Sequence, residues 1–177
     1  MVIGCPGAGK STIARAIALK TRLPLIHLDQ EYWRAGWTPT PKDDWIERLK
    51  QICSEPQWIL DGNYHGSIAR RLPFADTVIV VEQPRWRCIY NVLRRTFGSL
   101  GKVRSDMAPG CPERLNLGFL SFIWTYHAKF QTDIQPLLDD AAARGTRVVT
   151  TRSQYDLFAL IDLEDECNKL AENPSLA

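Results

Sequence analysis

A glycine-rich loop near the start of the chain carries the most specific chemistry of this sequence. Residues 4–11 read Gly-Cys-Pro-Gly-Ala-Gly-Lys-Ser, which satisfies the pattern G-x-x-x-x-G-K-S. Glycines at this spacing let successive backbone N–H groups turn toward a phosphate, while the lysine reaches its outer oxygens and the serine hydroxyl ligates Mg²⁺. We therefore predict a site for ATP and Mg²⁺ formed by Cys5, Pro6, Gly7, Ala8, Gly9, Lys10, Ser11 and Thr12.

Two aspartates that end apolar runs are the second chemical signal. Asp61 ends the run Trp-Ile-Leu-Asp, where a carboxylate can hold Mg²⁺ through its water shell. Asp29 ends the run 23–29, where a carboxylate can accept a proton from a substrate hydroxyl or bind a sugar. A helix cap or a turn is the ordinary role of an aspartate after a strand, and this alternative stays open for both. We predict that Asp61 and Ser11 are metal ligands and that Asp29 orients a phosphoryl acceptor.

A basic segment supplies candidate groups for the phosphates. Residues 85–114 carry seven Lys and Arg against two acidic residues, a local charge of +5 in a chain with a net charge of +2. Guanidinium groups are planar, permanently charged and bidentate, which suits a phosphoryl group in transfer. A solvated helix face would explain any single one of them equally well. As a group, Arg94, Arg95 and Arg104 are predicted to act in catalysis together with Lys10.

Aromatic residues crowd the region between the second and third predicted strands. They could stack on a flat acceptor such as a base, or they could pack a small helical subdomain. We expect Trp45 and Trp58 to be core residues, whereas the sequence leaves Tyr32, Trp33 and Trp37 open.

The elements that position these groups alternate along the chain. After a short first strand that ends at the glycine-rich loop, apolar strands are predicted at 23–29, 58–61, 77–82 and 146–151. Helical patterns are predicted at 11–21, 41–54, 65–72, 84–98, 113–131, 132–144 and 153–170. Buried strands that alternate with helices are typical of a three-layer α/β fold with a parallel sheet, which binds ligands at the carboxyl ends of its strands. We expect one domain over 1–177, with an acceptor-binding insertion at about 30–57 and a short lid at about 99–113.

Composition indicates a globular protein with reduced thiols. The chain has 177 residues, of which 45% are hydrophobic and 24% charged, and no apolar run approaches the length of a membrane span. Five cysteines without a repeating spacing favour a cytoplasmic location over a disulfide framework. Only three residues precede Gly4, so we expect the natural start of the chain to lie a few residues upstream of Met1.

Four motifs together resemble one known group of proteins. They are the glycine-rich loop, Ile-His-Leu-Asp-Gln-Glu-Tyr-Trp at 26–33, Trp-Ile-Leu-Asp-Gly-Asn-Tyr at 58–64, and the run 104–115. Over nearly the whole chain they resemble the bacterial "DNA topology modulation protein" family, which belongs among the adenylate-kinase-like P-loop NTPases.

The resemblance implies a five-stranded parallel sheet, an acceptor insertion after the second strand and an arginine-bearing lid. It also implies donor phosphates at residues 7–12, Mg²⁺ supported by Asp61, a donor-site arginine at Arg94 or Arg95, and adenine beside Arg152. The adenylate kinase run Asp-Gly-Phe-Pro-Arg reads Asp-Gly-Asn-Tyr-His here, so the arginine for an acceptor phosphate is replaced by His65. An acceptor with a hydroxyl fits Asp29 better than one with a phosphate.

These features predict an ATP- and Mg²⁺-dependent kinase of a nucleoside, nucleotide or similar small molecule. Two alternatives stay open: a nucleotide-dependent regulator that affects DNA supercoiling, as the family label suggests, and a nucleotide-binding module without efficient transfer. The sequence requires neither a DNA partner nor a membrane, and it does not indicate the acceptor or the oligomeric state.

Overall fold

Five parallel strands form the central sheet of the computed structural model, which describes residues 1–153 and 155–159. In chain order the strands are β1 (Val2–Gly4), β2 (Leu25–His27), β3 (Trp33–Arg34), β4 (Thr38–Pro39), β5 (Ile59–Asp61), β6 (Thr77–Val81) and β7 (Arg147–Thr151). The sheet has the order β2-β5-β1-β6-β7, and each neighbouring pair is parallel. The short strands β3 and β4 form a separate antiparallel hairpin. The predicted five-stranded parallel sheet of an α/β protein is confirmed.

Helices connect the strands and cover the sheet. They are α1 (Lys10–Thr21), α2 (Leu28–Tyr32), α3 (Lys42–Ser54), α4 (His65–Arg71), α5 (Arg85–Gly98), α6 (Leu117–Asp133) and α7 (Gln135–Ala143). Residues 155–159 are also helical, and the rest of the helix predicted at 153–170 lies outside the described residues. Among the described residues, no helix combines the length and the apolar character that a membrane crossing requires.

Two predicted boundaries were wrong for local reasons. The strand predicted at 23–29 ends at His27, and the chain then turns into α2, so Asp29 lies in the first turn of a helix. Leu28 drives this turn because its side chain is fully buried against the backbone of Gly62. The helix predicted from residue 113 begins at Leu117, because the Asn116 side chain caps it by accepting the N–H of Phe119 at 3.1 Å.

The sheet core is built around β1. Val2 and Ile3 are almost completely buried between β5 and β6, and Val2 lies in register with Asp61 on one side and Ile79 on the other. Parallel register brings the carboxyl ends of the strands to one edge of the sheet. Gly4, His27 and Asp61 all lie there.

The lid segment, residues 99–113, which the sequence predicts as a lid, lines the cleft at this edge and contacts the β3–β4 hairpin. The Gly36 N–H donates to the Gly110 carbonyl at 2.8 Å, and the Trp37 indole N–H donates to the Pro112 carbonyl at 3.0 Å. Gly110 is required at this contact, since a Cβ atom there would lie 2.8 Å from the Ala35 Cβ. A small apolar cluster supports the contact, formed by the lid residues Met107, Ala108 and Cys111 against Trp33 and Trp37.

Candidate functional site

The glycine-rich loop connects β1 to α1 and is fixed from two directions. The Asn63 side chain accepts the Gly4 N–H at 2.9 Å and donates to the Gly4 carbonyl at 2.7 Å. On the opposite side Gly7, with a φ of +83°, packs so closely on α5 that a Cβ would lie 2.3 Å from the Cys88 carbonyl oxygen. Helix α1 begins at Lys10 directly after the loop, so its first N–H groups add to an anion-binding site.

Lys10 lies folded over this loop. Its Nζ donates to the Cys5 carbonyl oxygen at 3.1 Å, a contact that a phosphate oxygen can replace. Burial lowers the pKa of Lys10, while the nearby carboxylates of Asp61 and Asp29 oppose that shift. The ammonium is therefore placed beside both predicted carboxylates.

Asp61 is paired with a histidine that the sequence analysis did not select. The register between β2 and β5 sets His27 beside Asp61, and their Nδ1 and Oδ2 atoms are 2.7 Å apart. Burial by itself would raise the pKa of Asp61, but the hydrogen bond from His27 and the charge of Lys10 outweigh it and hold the pKa below its ordinary value. The sequence offered only a weak signal for His27, its place inside the strand predicted at 23–29, and the strand register that pairs it with Asp61 is visible only in the structure.

The second carboxylate oxygen of Asp61 is the feature most suggestive of a ligand. Oδ1 is buried and has no hydrogen-bond partner among the described residues. The nearby Ser11 hydroxyl also contributes to lowering the pKa of Asp61, and both predicted metal ligands line the same cleft. Within the described residues no group of three or more His, Cys, Asp and Glu side chains gathers as a metal site. This donor set fits Mg²⁺, which takes one or two protein oxygens and completes its shell with water and phosphate.

Asp29 lines the same cleft as the loop and is held by Tyr64. The Tyr64 hydroxyl donates to Asp29 Oδ1 at 2.7 Å. Burial raises the pKa of Asp29, and the Tyr64 hydrogen bond and the Lys10 charge partly offset that effect. A carboxylate with a raised pKa and a fixed orientation can accept a proton from a substrate hydroxyl.

Two of the predicted arginines meet at one buried carboxylate in the lid segment. Glu113, 7% exposed, has Oε1 at 2.5 Å from Arg104 Nε and 3.4 Å from Arg95 Nε. Both Nε atoms lie within ion-pair range, but among the described residues neither has a partner with the geometry of a hydrogen bond. Arg104 also contacts both carboxylate oxygens of Asp106, at 3.0 and 3.1 Å. Glu113 therefore holds the two guanidinium groups next to each other at the cleft.

All these groups line one cleft of about 880 Å³. On its loop side lie the glycine-rich loop, the start of α1, Arg94 and Arg95 of α5, and Arg104. Arg94 is exposed at the rim. On its aromatic side lie His27, Asp29, Trp33, Trp37, Tyr64 and His65. The structure thus brings together the predicted residues Lys10, Ser11, Asp29, Asp61, Arg94, Arg95 and Arg104.

Arg152 is placed elsewhere. It lines a second cavity of about 720 Å³ behind the glycine-rich loop, and its carbonyl oxygen accepts a hydrogen bond from Gln83 at 2.5 Å. Cys5 lines the same cavity, with its thiol directed to the Ile123 carbonyl, and the neighbouring Cys88 thiol together with burial raises the pKa of the Cys5 thiol. Of the residues predicted to bind ATP, these two therefore present their side chains away from the cleft.

The aromatic residues divide between core and cleft. Trp45 is 7% exposed and belongs to the core, as predicted, and Trp58 packs partly buried against it. Tyr32 also packs on the core, whereas Trp33 and Trp37 line the cleft beneath the lid segment. The centroids of the Trp33 and Trp37 rings are 5.5 Å apart, and the interplanar angle is 69°.

Neither a scan of protein-family models nor a search of curated proteins found a match to this chain. The family resemblance carried by the four motifs therefore stays a prediction.

Proposed function

We propose that this protein is a P-loop-type phosphotransferase that moves the γ-phosphoryl group of ATP to a hydroxyl of a small molecule. The observation that carries the proposal is the convergence of Lys10, Ser11 and the partly unsatisfied Asp61 at the glycine-rich loop, in the same cleft as the tyrosine-held Asp29. The parallel sheet and the ligand site at its carboxyl edge agree with such a fold.

Each side of the cleft has a distinct role in this reaction. The loop N–H groups and Lys10 bind the phosphates, and Arg95 and Arg104 stabilise charge on the phosphoryl group during transfer. Ser11 and Asp61 would hold Mg²⁺, which when bound supplies neutralising charge to the phosphates. The oxygen of the acceptor hydroxyl bonds to the γ-phosphorus, and Asp29 accepts the proton of that hydroxyl. The bond between that phosphorus and the bridging oxygen breaks, and ADP leaves.

The test is ADP formation from Mg·ATP with a panel of nucleosides, nucleoside monophosphates and small hydroxyl metabolites. An acceptor that stimulates ADP release in the native protein, but not in Lys10→Ala, supports the proposal. Lys50→Ala is the matched control, since Lys50 is exposed on α3 and paired with Glu47 at 3.6 Å. ATP binding without stimulated turnover by any acceptor would contradict a kinase and favour a nucleotide-binding module.

One observation favours the second candidate, a nucleotide-dependent regulator that binds DNA. The outer face of α5 exposes three aromatic side chains, Trp86, Tyr90 and Phe97, among the exposed arginines Arg85, Arg87 and Arg94. Aromatic rings among arginines can stack on bases and contact phosphates. Retention on DNA that weakens steeply with salt, and that Trp86→Ala and Arg87→Ala reduce, would support this candidate.

A further inference from the structure

One arginine lies in the interior of the protein. The Arg71 side chain, at the end of α4, is fully buried. Within the described residues no carboxylate pairs with it, and its guanidinium donates instead to the carbonyl oxygens of Gly62, at 3.3 Å, and Asn63. Burial lowers the pKa of Arg71 to about 10, so the group stays charged at neutral pH. Because a buried cation without an anion is costly, stability alone does not account for this arginine.

The turn that Arg71 holds has an unfavourable backbone conformation. It connects β5 to α4 through Gly62, Asn63 and Tyr64. Tyr64 has a φ of +43°, in the left-handed region that bulky side chains rarely adopt. Such a conformation persists only where the surrounding structure enforces it. The two carbonyls that accept from Arg71 directly precede Tyr64, so the guanidinium stabilises the turn in this conformation.

Asn63 connects this turn to the glycine-rich loop. Its side chain makes two hydrogen bonds with the backbone of Gly4, where β1 ends and the loop begins. Both bonds depend on the position of the Asn63 backbone, whose carbonyl Arg71 holds. The Tyr126 hydroxyl contacts the Asn63 amide oxygen at 3.4 Å, which is a weaker contact. Arg71 does not itself line the cleft, so it can act on a phosphate only through the loop.

We propose that Arg71 is a positioning residue for ATP binding, an inference that rests on the phosphotransferase function proposed above. Arg71 fixes the turn 62–64, and Asn63 transmits this constraint to Gly4, so that the N–H groups of the loop face the phosphates. Donors that are already oriented bind an anion more tightly, because they lose little conformational freedom on binding.

The first measurement is the affinity for a non-hydrolysable ATP analogue with Mg²⁺, which does not depend on transfer. In a calorimetric titration, Arg71→Gln should bind the analogue about tenfold more weakly than the native protein, the effect of one lost hydrogen bond to a charged group. Arg70→Gln is the matched control, since Arg70 is the preceding residue of α4 but is exposed, and it should keep the native affinity. Asn63→Ala should also weaken binding. The double variant Arg71→Gln/Asn63→Ala should bind no more weakly than Asn63→Ala, because both residues act through the same contact.

The second measurement separates a local effect from a general loss of stability. Hydrogen exchange of the Gly4 amide, followed by NMR, should accelerate in Arg71→Gln about tenfold more than exchange of the Ile79 amide. The Ile79 amide is the reference because it donates to the Met1 carbonyl at 2.8 Å, on the side of β1 that faces β6. If Arg71→Gln does not fold, Arg71→Lys replaces it in both measurements. Lysine keeps the charge but lacks the planar fork of the guanidinium, so the same changes should appear at about threefold.

A purely structural role of Arg71 predicts different results. Native affinity in a folded Arg71 variant, equal acceleration of the two amides, or independent losses in the double variant would each overturn the inference. Weaker analogue binding in Arg71→Gln, without ADP formation by the native protein, would support the inference and remove the kinase. Stimulated ADP formation together with native analogue affinity in Arg71→Gln would keep the kinase and overturn the inference. Absence of analogue binding by the native protein would overturn both.

Discussion

On the loop side of the cleft the backbone N–H groups and the lysine come from one contiguous stretch, to which α5 and the lid segment add arginines, whereas on the aromatic side every group comes from a different segment of the chain. Residues 4–12 supply both the backbone N–H groups and the lysine. The Asn63 side chain holds Gly4 at the start of this stretch, and Gly7 packs against α5. The aromatic side combines the first turn of α2, the β3–β4 hairpin and the start of α4. Under the proposed function, local backbone geometry would specify the binding of phosphate, and tertiary packing would specify the acceptor.

The largest effect should come from Lys10→Ala, which tests whether the two sides act separately. Loss of a charged donor to the phosphates should weaken ATP binding by about 100-fold, as expected for two charge-assisted hydrogen bonds. Binding of the acceptor that the ADP assay identifies should change little. Calorimetric titration of both ligands measures this, and an equal loss of both would show that the two sides form a single site.

The next effect concerns the metal. Asp61→Asn keeps the shape of the side chain but removes its charge, so the Mg²⁺ concentration for half-maximal ADP formation should rise by roughly 10- to 100-fold. A magnesium titration at fixed ATP measures the change. Asp140→Asn, at an exposed position of α7 paired with Arg144, should behave like the native protein. An unaltered magnesium requirement in Asp61→Asn would exclude this carboxylate as the metal ligand.

Glu113→Gln separates a structural from a catalytic role of the lid arginines. Removal of the buried carboxylate leaves the like charges of Arg95 and Arg104 facing each other. The free energy of unfolding should therefore fall by about 3 kcal/mol. Mg·ATP should then raise the Tm of the variant more than that of the native protein, because phosphate replaces the lost carboxylate. Thermal denaturation with and without Mg·ATP measures both effects. Equal increases in Tm would mean that the arginines do not contact the nucleotide.

The smallest effect is a shift in pH dependence. The Tyr64 hydrogen bond lowers the pKa of Asp29, so Tyr64→Phe should raise that pKa further. Since transfer needs the ionised carboxylate, the acid limb of kcat/KM should move to higher pH by up to about one unit. Tyr90→Phe, on the exposed face of α5, should leave the profile in place. An acid limb that stays fixed in Tyr64→Phe would mean that another group accepts the proton.

The contrast between the two sides also explains how much the sequence could predict. Lys10 and Ser11 follow from a local motif, and Asp61 follows from its place at the end of an apolar run. The pairing of His27 with Asp61 depends on strand register, which no short pattern contains.

Glu113 and Arg152 are two further residues whose contacts could not be predicted from a short sequence pattern. In the sequence Glu113 is an ordinary acid where the predicted lid meets the helix predicted at 113–131, and only the fold of the lid segment buries it between two arginines. Arg152 follows β7, but Gln83 holds its backbone over a different cavity. Their roles depend on contacts between segments that the chain order does not specify.

The lid segment contacts both sides of the cleft at once. Glu113 holds the arginines of the loop side, and Gly110 and Pro112 are bound to the hairpin that carries Trp33 and Trp37. Movement of this segment must break both sets of contacts, so entry to one side also opens the other. Release of ADP and release of the phosphorylated product would then share one slow step, and turnover would be limited by a single conformational rate.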